Sequence, residues 1–270
     1  MMTRRKFLLG SSTAVAVLGV GVARARRGIA SNLRVTHHEL PFAVNRRIRV
    51  AHLTDFHAGL GTPRKIFTDV VEQVRANQPD LVVLTGDYVN HSLTRLDRLA
   101  SVLEGIPHPM VATLGNHDYW SGEQEVTEVL ECAGVRVLRN ESTTVRGLQI
   151  VGVDDGRTNR DDVEQAFSGV TRPEQALVLT HYPPTAEAIV ERGGRLVLAG
   201  HTHGTFADVA GLSTFVRRFE EARYLHGFYE LGEGRLYVNA GLGSTVRGSR
   251  EGSRSRPELA IFDLVPTPSA

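Results

Sequence analysis

The chain has 270 residues, 41% of them hydrophobic, with 27 Gly and 11 Pro, enough for one large α/β domain with a substantial core. Its formal charge of +1 becomes −3 once residues 1–25 are set aside, with 27 basic against 30 acidic side chains, which excludes a nucleic-acid partner held by bulk charge. Cys132 is the only cysteine, so an intrachain disulfide and a thiolate zinc site are both excluded.

The chain opens on Thr3-Arg4-Arg5-Lys6-Phe7-Leu8, then a weakly apolar stretch from Leu8 to Val22, then Ala23-Arg24-Ala25. A basic start, a short apolar run and a small-x-small cleavage pattern make a signal-peptide layout, and Arg-Arg-x-Phe-Leu resembles the twin-arginine export signal. The apolar run of about 15 residues is short of the ~20 that span a bilayer. Residues 1–25 are therefore expected to be a cleaved leader, taken by the twin-arginine export machinery to the periplasm or cell envelope. An uncleaved leader acting as a membrane anchor is the alternative.

Residues 26–47 read as a linker and an edge strand, with alternation over Leu33–Leu40. Ile48–Thr54 is a buried strand. Arg64–Asn77 has a helical apolar period at Ile66, Phe67, Val70, Val71 and Val74. Pro79-Asp80 restarts the chain into strand Leu81–Thr85. Helix Leu93–Leu103, strand Met110–Leu114 and helix Gly122–Ala133 follow, the last placing Cys132 as a packed core thiol. Val135–Leu138, Thr143–Arg146 and Leu148–Val153 are short β segments. Helices are expected over Asp161–Phe167 and Thr185–Glu191, and strands over Ala176–Thr180, Arg195–Ala199, Arg235–Val238 and Leu259–Val265. Residues 266–270 read as a loose tail. The order β-α-β-α-β, then a β-rich second half, predicts two sheets packed together with helices outside, within a domain of residues 48–265.

Five of the apolar runs end in residues that bind metal. Ile48–Thr54 ends in Asp55-Phe56-His57, Leu81–Thr85 in Gly86-Asp87, and Met110–Leu114 in Gly115-Asn116-His117-Asp118. Ala176–Thr180 ends at His181, and Arg195–Ala199 in Gly200-His201-Thr202-His203-Gly204. Each residue alone has an ordinary reading, as a turn former or a rim histidine. No packing rule puts carboxylate, imidazole or amide at every strand end, and ligands gather outside the carboxyl ends of strands in open α/β sheets. Oxygen and nitrogen donors without sulfur suit Mn, Fe or Zn. Asp55 and His57, two apart, would face one side of a continuing strand. Asp87, on what should be the adjacent strand, can bridge two cations, and a paired-cation site points to phosphoester hydrolysis.

Asp-x-His, Gly-Asp, Gly-Asn-His-Asp, a lone His and Gly-His-Thr-His, in that order across residues 48–264, resemble the calcineurin-like metallophosphoesterase family. The leader, Gly-Asn-His-Asp-Tyr-Trp and Val-Asn-Ala-Gly-Leu-Gly resemble its exported bacterial phosphodiesterase branch. The resemblance implies a four-layer α/β/β/α sandwich of two mixed β-sheets flanked by helices. It implies two divalent metal ions, one on Asp55, His57, Asp87 and His203, the other on Asp87, Asn116, His181 and His201. A hydroxide between them would attack phosphorus in line. His117 would donate to the phosphoryl or leaving oxygen, and Asp118 would either orient His117 or hold the loop.

Gly86-Asp87-Tyr88-Val89 continues with Asn90-His91-Ser92 rather than the Asp-Arg-Gly of protein phosphatases, which disfavours that activity. His91 is a candidate substrate contact, with a surface-loop residue as the alternative. Tyr119 and Trp120 either stack on a substrate ring or fill an apolar gap. Of the C-terminal arginines, which include Arg217, Arg218, Arg223, Arg250, Arg254 and Arg256, Arg247 is the first candidate to grip phosphate, since it follows Gly241-Leu242-Gly243. Phe215, Phe219, Tyr224 and Phe228 are expected to wall the substrate cleft, or else to belong to a helix covering the second sheet. The function expected is hydrolysis of a phosphoester substrate, a phosphodiester first. A nucleotide-linked lipid precursor of the UDP-2,3-diacylglucosamine type and a catalytically silent metal-binding scaffold are the alternatives.

Overall fold

Apolar runs of four to six residues without alternation are what strands buried on both faces require. The computed structural model describes residues 33–59, 61–106, 109–204, 223–243 and 256–267, and among these such runs form the centres of two six-stranded sheets. The first sheet has the order β1 (Arg34–Phe42), β12 (Glu258–Pro266), β2 (Ile48–Leu53), β3 (Leu81–Thr85), β4 (Met110–Thr113), β5 (Val135–Val137). β2 to β5 are parallel, β12 is antiparallel to β2, and β1 lies parallel to β12 at the edge. The second sheet has the order β10 (Gly227–Leu231), β11 (Gly234–Val238), β9 (Leu196–Ala199), β8 (Leu177–Leu179), β7 (Leu148–Gly152), β6 (Glu141–Val145). Its four central strands are parallel and its two edge strands antiparallel.

Strand alternation distributes side chains between three cores. On β3, Leu81 and Val83 enter the core between the sheets, where they join Val50, Ile150, Leu179 and Leu198. Val82 and Leu84 face outward to Phe67, Val70 and Val74 of α1 (Arg64–Asn77) and to Leu99 and Leu103 of α2 (Leu96–Glu104). On the far side, Val151, Val178 and Val197 pack against Ala166 of α5 (Val163–Ala166) and Ile189 of α6 (Ala186–Glu191). Each fully buried aliphatic side chain contributes about 1.5–3 kcal/mol relative to exposure. The result is the four-layer α/β/β/α sandwich.

α1 ends because Gln78 takes a left-handed conformation (φ 46°) and Pro79 cannot continue a helix. Two elements escape the apolar pattern. α3 (Asn116–Ser121) consists of Asn-His-Asp-Tyr-Trp-Ser and buries Asn116, His117 and Asp118 rather than an apolar stripe. β10 mixes glycine, aromatic and acidic residues at an exposed edge. The second predicted helix starts at Leu96, three residues later than its apolar period suggests. Cys132 is exposed, a correction: α4 (Glu123–Cys132) turns Val126 and Leu130 inward, and a residue two positions after Leu130 falls on the opposite face. Of the predicted aromatic wall, Tyr224 is buried beside the second sheet with its hydroxyl on Glu187 (2.6 Å), and Phe228 packs on His38, Tyr237 and Phe262, so both serve packing. Phe215 and Phe219 lie outside the described residues, as do the leader and most of the tail. No helix among the described residues is long and apolar enough to cross a membrane.

Candidate metal centre

Parallel strands carry their carboxyl ends to one edge, and both sheets present that edge on the same side of the molecule. β2 brings Asp55 and His57, β3 brings Asp87, and β4 leads into Asn116 and His117. From the second sheet, β8 brings His181 and β9 brings His201 and His203. The edges are joined by hydrogen bonds: His181 Nδ1 donates to the Thr85 carbonyl (2.7 Å) and the His201 amide to Asp55 Oδ2 (3.0 Å). Glycine permits the approach. A Cβ at Gly115 would overlap Asp87 Oδ1, and one at Gly200 would overlap Asp55 Oδ2 and Thr54 Oγ1, so the glycines of two motifs are steric requirements.

β2 stops at Leu53, so Asp55 and His57 do not share a side by strand alternation. They reach the centre with left-handed backbones, φ 52° and 41°. Asp87 (55°), His201 (75°) and His203 (56°) do the same. Such conformations cost of order 1–3 kcal/mol each and collect at functional sites. Here the Asp55, His57 and Ala58 amides donate to the carbonyls of Gly86, Asp87 and Tyr88, which locks the two loops together.

The donor atoms form three overlapping groups, each within 4.8 Å: Asp55, His57 and His203; Asp87, His181 and His201; and His57, Asp87 and His117. Asp55 Oδ1 lies 3.4 Å from His203 Nε2 and 3.7 Å from His57 Nε2. Asp87 Oδ2 lies 3.5 Å from His57 Nε2 and 3.2 Å from His181 Nε2, central to both sides. Two Nδ1 anchors, His181 on Thr85 and His57 on the Val89 carbonyl (3.3 Å), turn the Nε2 atoms inward, as outer hydrogen bonds do for metal-bound histidine. Asp55 Oδ1 and Asn116 Oδ1 are buried and accept no hydrogen bond. Buried oxygens of this kind normally have partners. A hard or borderline cation satisfies them, so the donor set fits a pair of divalent ions.

The electrostatics agree. Burial alone would suppress charge on Asp87 and His181, yet their proximity overrides it, holding Asp87 below the usual carboxylate range and His181 well above the imidazole range. Burial and His181 push His201 down to about 3, which leaves a neutral, coordinating ring. Cations take the place of the shared protons when they bind.

His117 is mostly buried, and its Nδ1 is tied to the Asn90 carbonyl (3.2 Å), which fixes the ring and leaves Nε2 for a proton transfer. Asp118 does not orient it, a correction to its catalytic reading. Its Oδ2 accepts from the Asp87 (2.9 Å) and Gly115 (2.9 Å) amides, and its Oδ1 from those of Tyr88 (2.8 Å) and Val89 (3.3 Å). Asp118 is a positioning residue that presents Asp87. Tyr119 is a second correction. Its hydroxyl donates to Asp154 (2.5 Å), and Arg160 (4.2 Å) and Arg139 (5.4 Å) lie over its ring, so its polar end is engaged and its ring is already stacked by the chain's own guanidinium groups. His91 does reach the site, with its ring 4.5 Å from that of His117. Arg223 pairs with Glu187 (2.8 Å), and Arg247 lies outside the described residues, with Arg217, Arg218, Arg250 and Arg254.

Sequence reading passed over a sixth strand ending, Asp154-Asp155 after β7. Asp155 is buried; its Oδ2 caps the 3₁₀ turn Gly156–Thr158, its Oδ1 has no hydrogen-bond partner, and burial raises its pKa to about 6. Its apolar run and paired carboxylates were the visible signal. The Val-Asn-Ala-Gly-Leu-Gly loop after β11, which the sequence marks only by resemblance and as the approach to Arg247, has a structural part: its Leu242 and Gly243 amides donate to the Thr54 and Asp55 carbonyls (3.0 and 2.6 Å) behind the centre.

The calcineurin-like phosphoesterase model matches residues 48–205. Phosphodiesterase YaeI of Escherichia coli is 28% identical, the match covering 98% of this chain and 100% of that protein. An uncharacterised metallophosphoesterase of Aquifex aeolicus is 32% identical over 73% of this chain and 78% of its own length. A dimetal phosphatase from Danio rerio shares the fold, with a TM-score of 0.53 at 12% identity, over 82% of this chain and 94% of that one. The chain belongs to the calcineurin-like phosphoesterase family and is a metal-dependent hydrolase of phosphoester bonds.

Proposed function

We propose that the protein is a phosphodiesterase of the cell envelope whose seven donors, Asp55, His57, Asp87, Asn116, His181, His201 and His203, hold two divalent cations bridged by Asp87. The observation that carries this is the central position of Asp87 Oδ2 between two donor groups, with two further buried oxygens unsatisfied. Mn, Fe and Zn all suit the donors. When bound, the pair supplies Lewis acidity and an activated water. The chain's own residues do the rest. Asp118 and the interlocked loops keep Asp87 in place. His117, its Nδ1–H donated to the Asn90 carbonyl, holds Nε2 toward the leaving oxygen; as the imidazolium it delivers the Nε2 proton there and is left as the neutral Nδ1–H ring. Preference for diesters is supported by the full-length likeness to a protein named as a phosphodiesterase, and export by the leader pattern of residues 1–25.

Turnover of bis-p-nitrophenyl phosphate against p-nitrophenyl phosphate by the Mn-loaded protein tests the reading. The diester should be hydrolysed faster; a clear monoester preference would overturn the diesterase assignment. Cell fractionation of wild type and a chain carrying Arg4→Lys and Arg5→Lys tests export. Equal amounts of both outside the cytoplasm would rule out the twin-arginine route.

A further inference from the structure

We propose that Trp120 and His91 form a stacking platform beside His117 for a planar ring carried on the leaving side of the substrate. This rests on His117 being the proton donor to the leaving oxygen. Trp120 follows His117 by three residues on α3, which puts both on one helix face. Their ring centroids are 5.2 Å apart, inclined at 60°. His91, from the loop after β3, brings its ring to 4.5 Å from His117 at 54°. His57 closes the inner side edge-on at 4.8 Å. The His117 ring is thus surrounded by three aromatic side chains, one reaching in to the metal donors and two reaching out to solvent.

Trp120 is 57% exposed and His91 is also exposed. Adjacent Tyr119 is turned inward and bonded to Asp154, so the dipeptide divides its roles: Tyr119 anchors the helix and Trp120 is offered to solvent. A lone exposed apolar residue on a surface needs no explanation. An indole in contact with the ring that delivers the proton is different, because whatever leaves with that proton must pass it. Indole and imidazole faces favour flat, polarisable rings over alkyl groups of equal size. Stacking of a base or aryl ring on such a platform amounts to about tenfold to a hundredfold in binding. The ligand class is a phosphodiester whose leaving alcohol bears an aryl or nucleobase ring.

Trp120 is the only tryptophan, so intrinsic fluorescence reports on this position alone. The Mn-loaded protein would be titrated with benzyl(methyl)phosphinate and (cyclohexylmethyl)(methyl)phosphinate, probes of similar size that differ in planarity and carry no P–O ester bond to cleave. Saturable quenching by the benzyl probe at about a tenth or less of the concentration the other needs is expected. Methyl benzyl phosphate and methyl cyclohexylmethyl phosphate, whose leaving alcohols are of similar reactivity, give the kinetic arm. A benzyl preference of about tenfold in kcat/KM should collapse toward unity in Trp120→Ala and survive in part in Trp120→Phe. Equal quenching by both probes, or a preference that survives in Trp120→Ala, would overturn the platform. A methyl phosphate ester of adenosine separates sources: better use than the benzyl ester assigns a nucleoside, equal use a simple aryl group. Ring-selective quenching without turnover of any diester would instead sink the phosphodiesterase reading and leave the platform standing.

Discussion

Two clusters of buried carboxylate and imidazole among the described residues differ in how completely their acceptor oxygens are engaged. Around Glu258, Oε1 accepts from Thr36 (3.0 Å) and Tyr237 (2.8 Å), and Oε2 from the Ala240 amide (3.0 Å) and His226 (2.9 Å), with the Arg34 guanidinium at 3.4 Å. At the metal centre, Asp55 Oδ1 and Asn116 Oδ1 accept nothing, and five donor-bearing residues hold left-handed backbones. A buried carboxylate whose oxygens are all engaged is structure. A cluster that keeps oxygens buried without donors, on backbones that cost free energy to hold, is built around something it must bind.

Metal removal breaks this comparison most severely. Dialysis against chelator should abolish turnover and lower Tm by several degrees, and Mn should restore both; at a hundredfold excess over Kd, a ligand adds about 2.7 kcal/mol of stability. Calorimetry with and without metal measures the stability term. Metal affinity should also weaken as pH falls, because the proton that Asp87 holds on His181 must leave before a cation binds. Unchanged Tm on chelation would mean that the cluster satisfies itself after all.

Substitutions then divide the cluster. Asp87→Ala removes the bridging position and should cost about a thousandfold or more in kcat, with metal content falling below two ions per chain by elemental analysis. His117→Ala should cost about a hundredfold to ten-thousandfold while both ions remain. Loss of metal in His117→Ala would place His117 among the ligands, an arrangement its 4.8 Å grouping with His57 and Asp87 makes worth testing.

The readable and unreadable parts of the sequence divide along the same physical line. β2, β3, β4, β8 and β9 were legible because strands buried on both faces must be continuously apolar, and the five ligand-bearing endings followed from where those runs stop. α3 was not legible, because its buried face is Asn116, His117 and Asp118, chosen for chemistry rather than periodicity. The geometry of Asp55 and His57 was misjudged because strand alternation does not extend past Leu53 into left-handed backbone. For Asp118 the motif leaves open orienting His117 or holding the loop, and the structure takes the second; Tyr119, next along α3, faces Asp154 rather than His117, because helical geometry sends neighbours in sequence to different surroundings. Glu258 gave no signal at all, since its partners Thr36, His226 and Tyr237 are distant along the chain.

Glu258→Gln tests the cluster whose carboxylate oxygens are all engaged. Burial opposes ionisation of Glu258, but the His226 hydrogen bond and the other donors bring its pKa down from 4.5 to about 2. A carboxylate depressed in the folded state stabilises above its unfolded pKa and loses that contribution as pH falls toward the folded one. The variant should therefore lose on the order of 3 kcal/mol at neutral pH, and the deficit should shrink between about pH 4.5 and pH 2. Denaturant titration at pH 7 and pH 3 checks it. Metal content should be unchanged, which separates this cluster from the centre it backs through Ala240.

Cys132 supplies the smallest effect and the control for the whole comparison. A polar atom without a partner argues for a ligand only where water cannot reach it, and the Cys132 thiol is exposed on the outer face of α4. Cys132→Ser should change stability by less than about 0.5 kcal/mol and leave kcat and metal content as in wild type. A thiol reagent should label native Cys132 as fast as a small model thiol, with or without metal. Protection from labelling, or a stability loss well above that figure, would show that α4 buries the face here placed in solvent. The outward rotation of that helix would then have to be redrawn, while the strand ends that carry the metal donors would be unaffected.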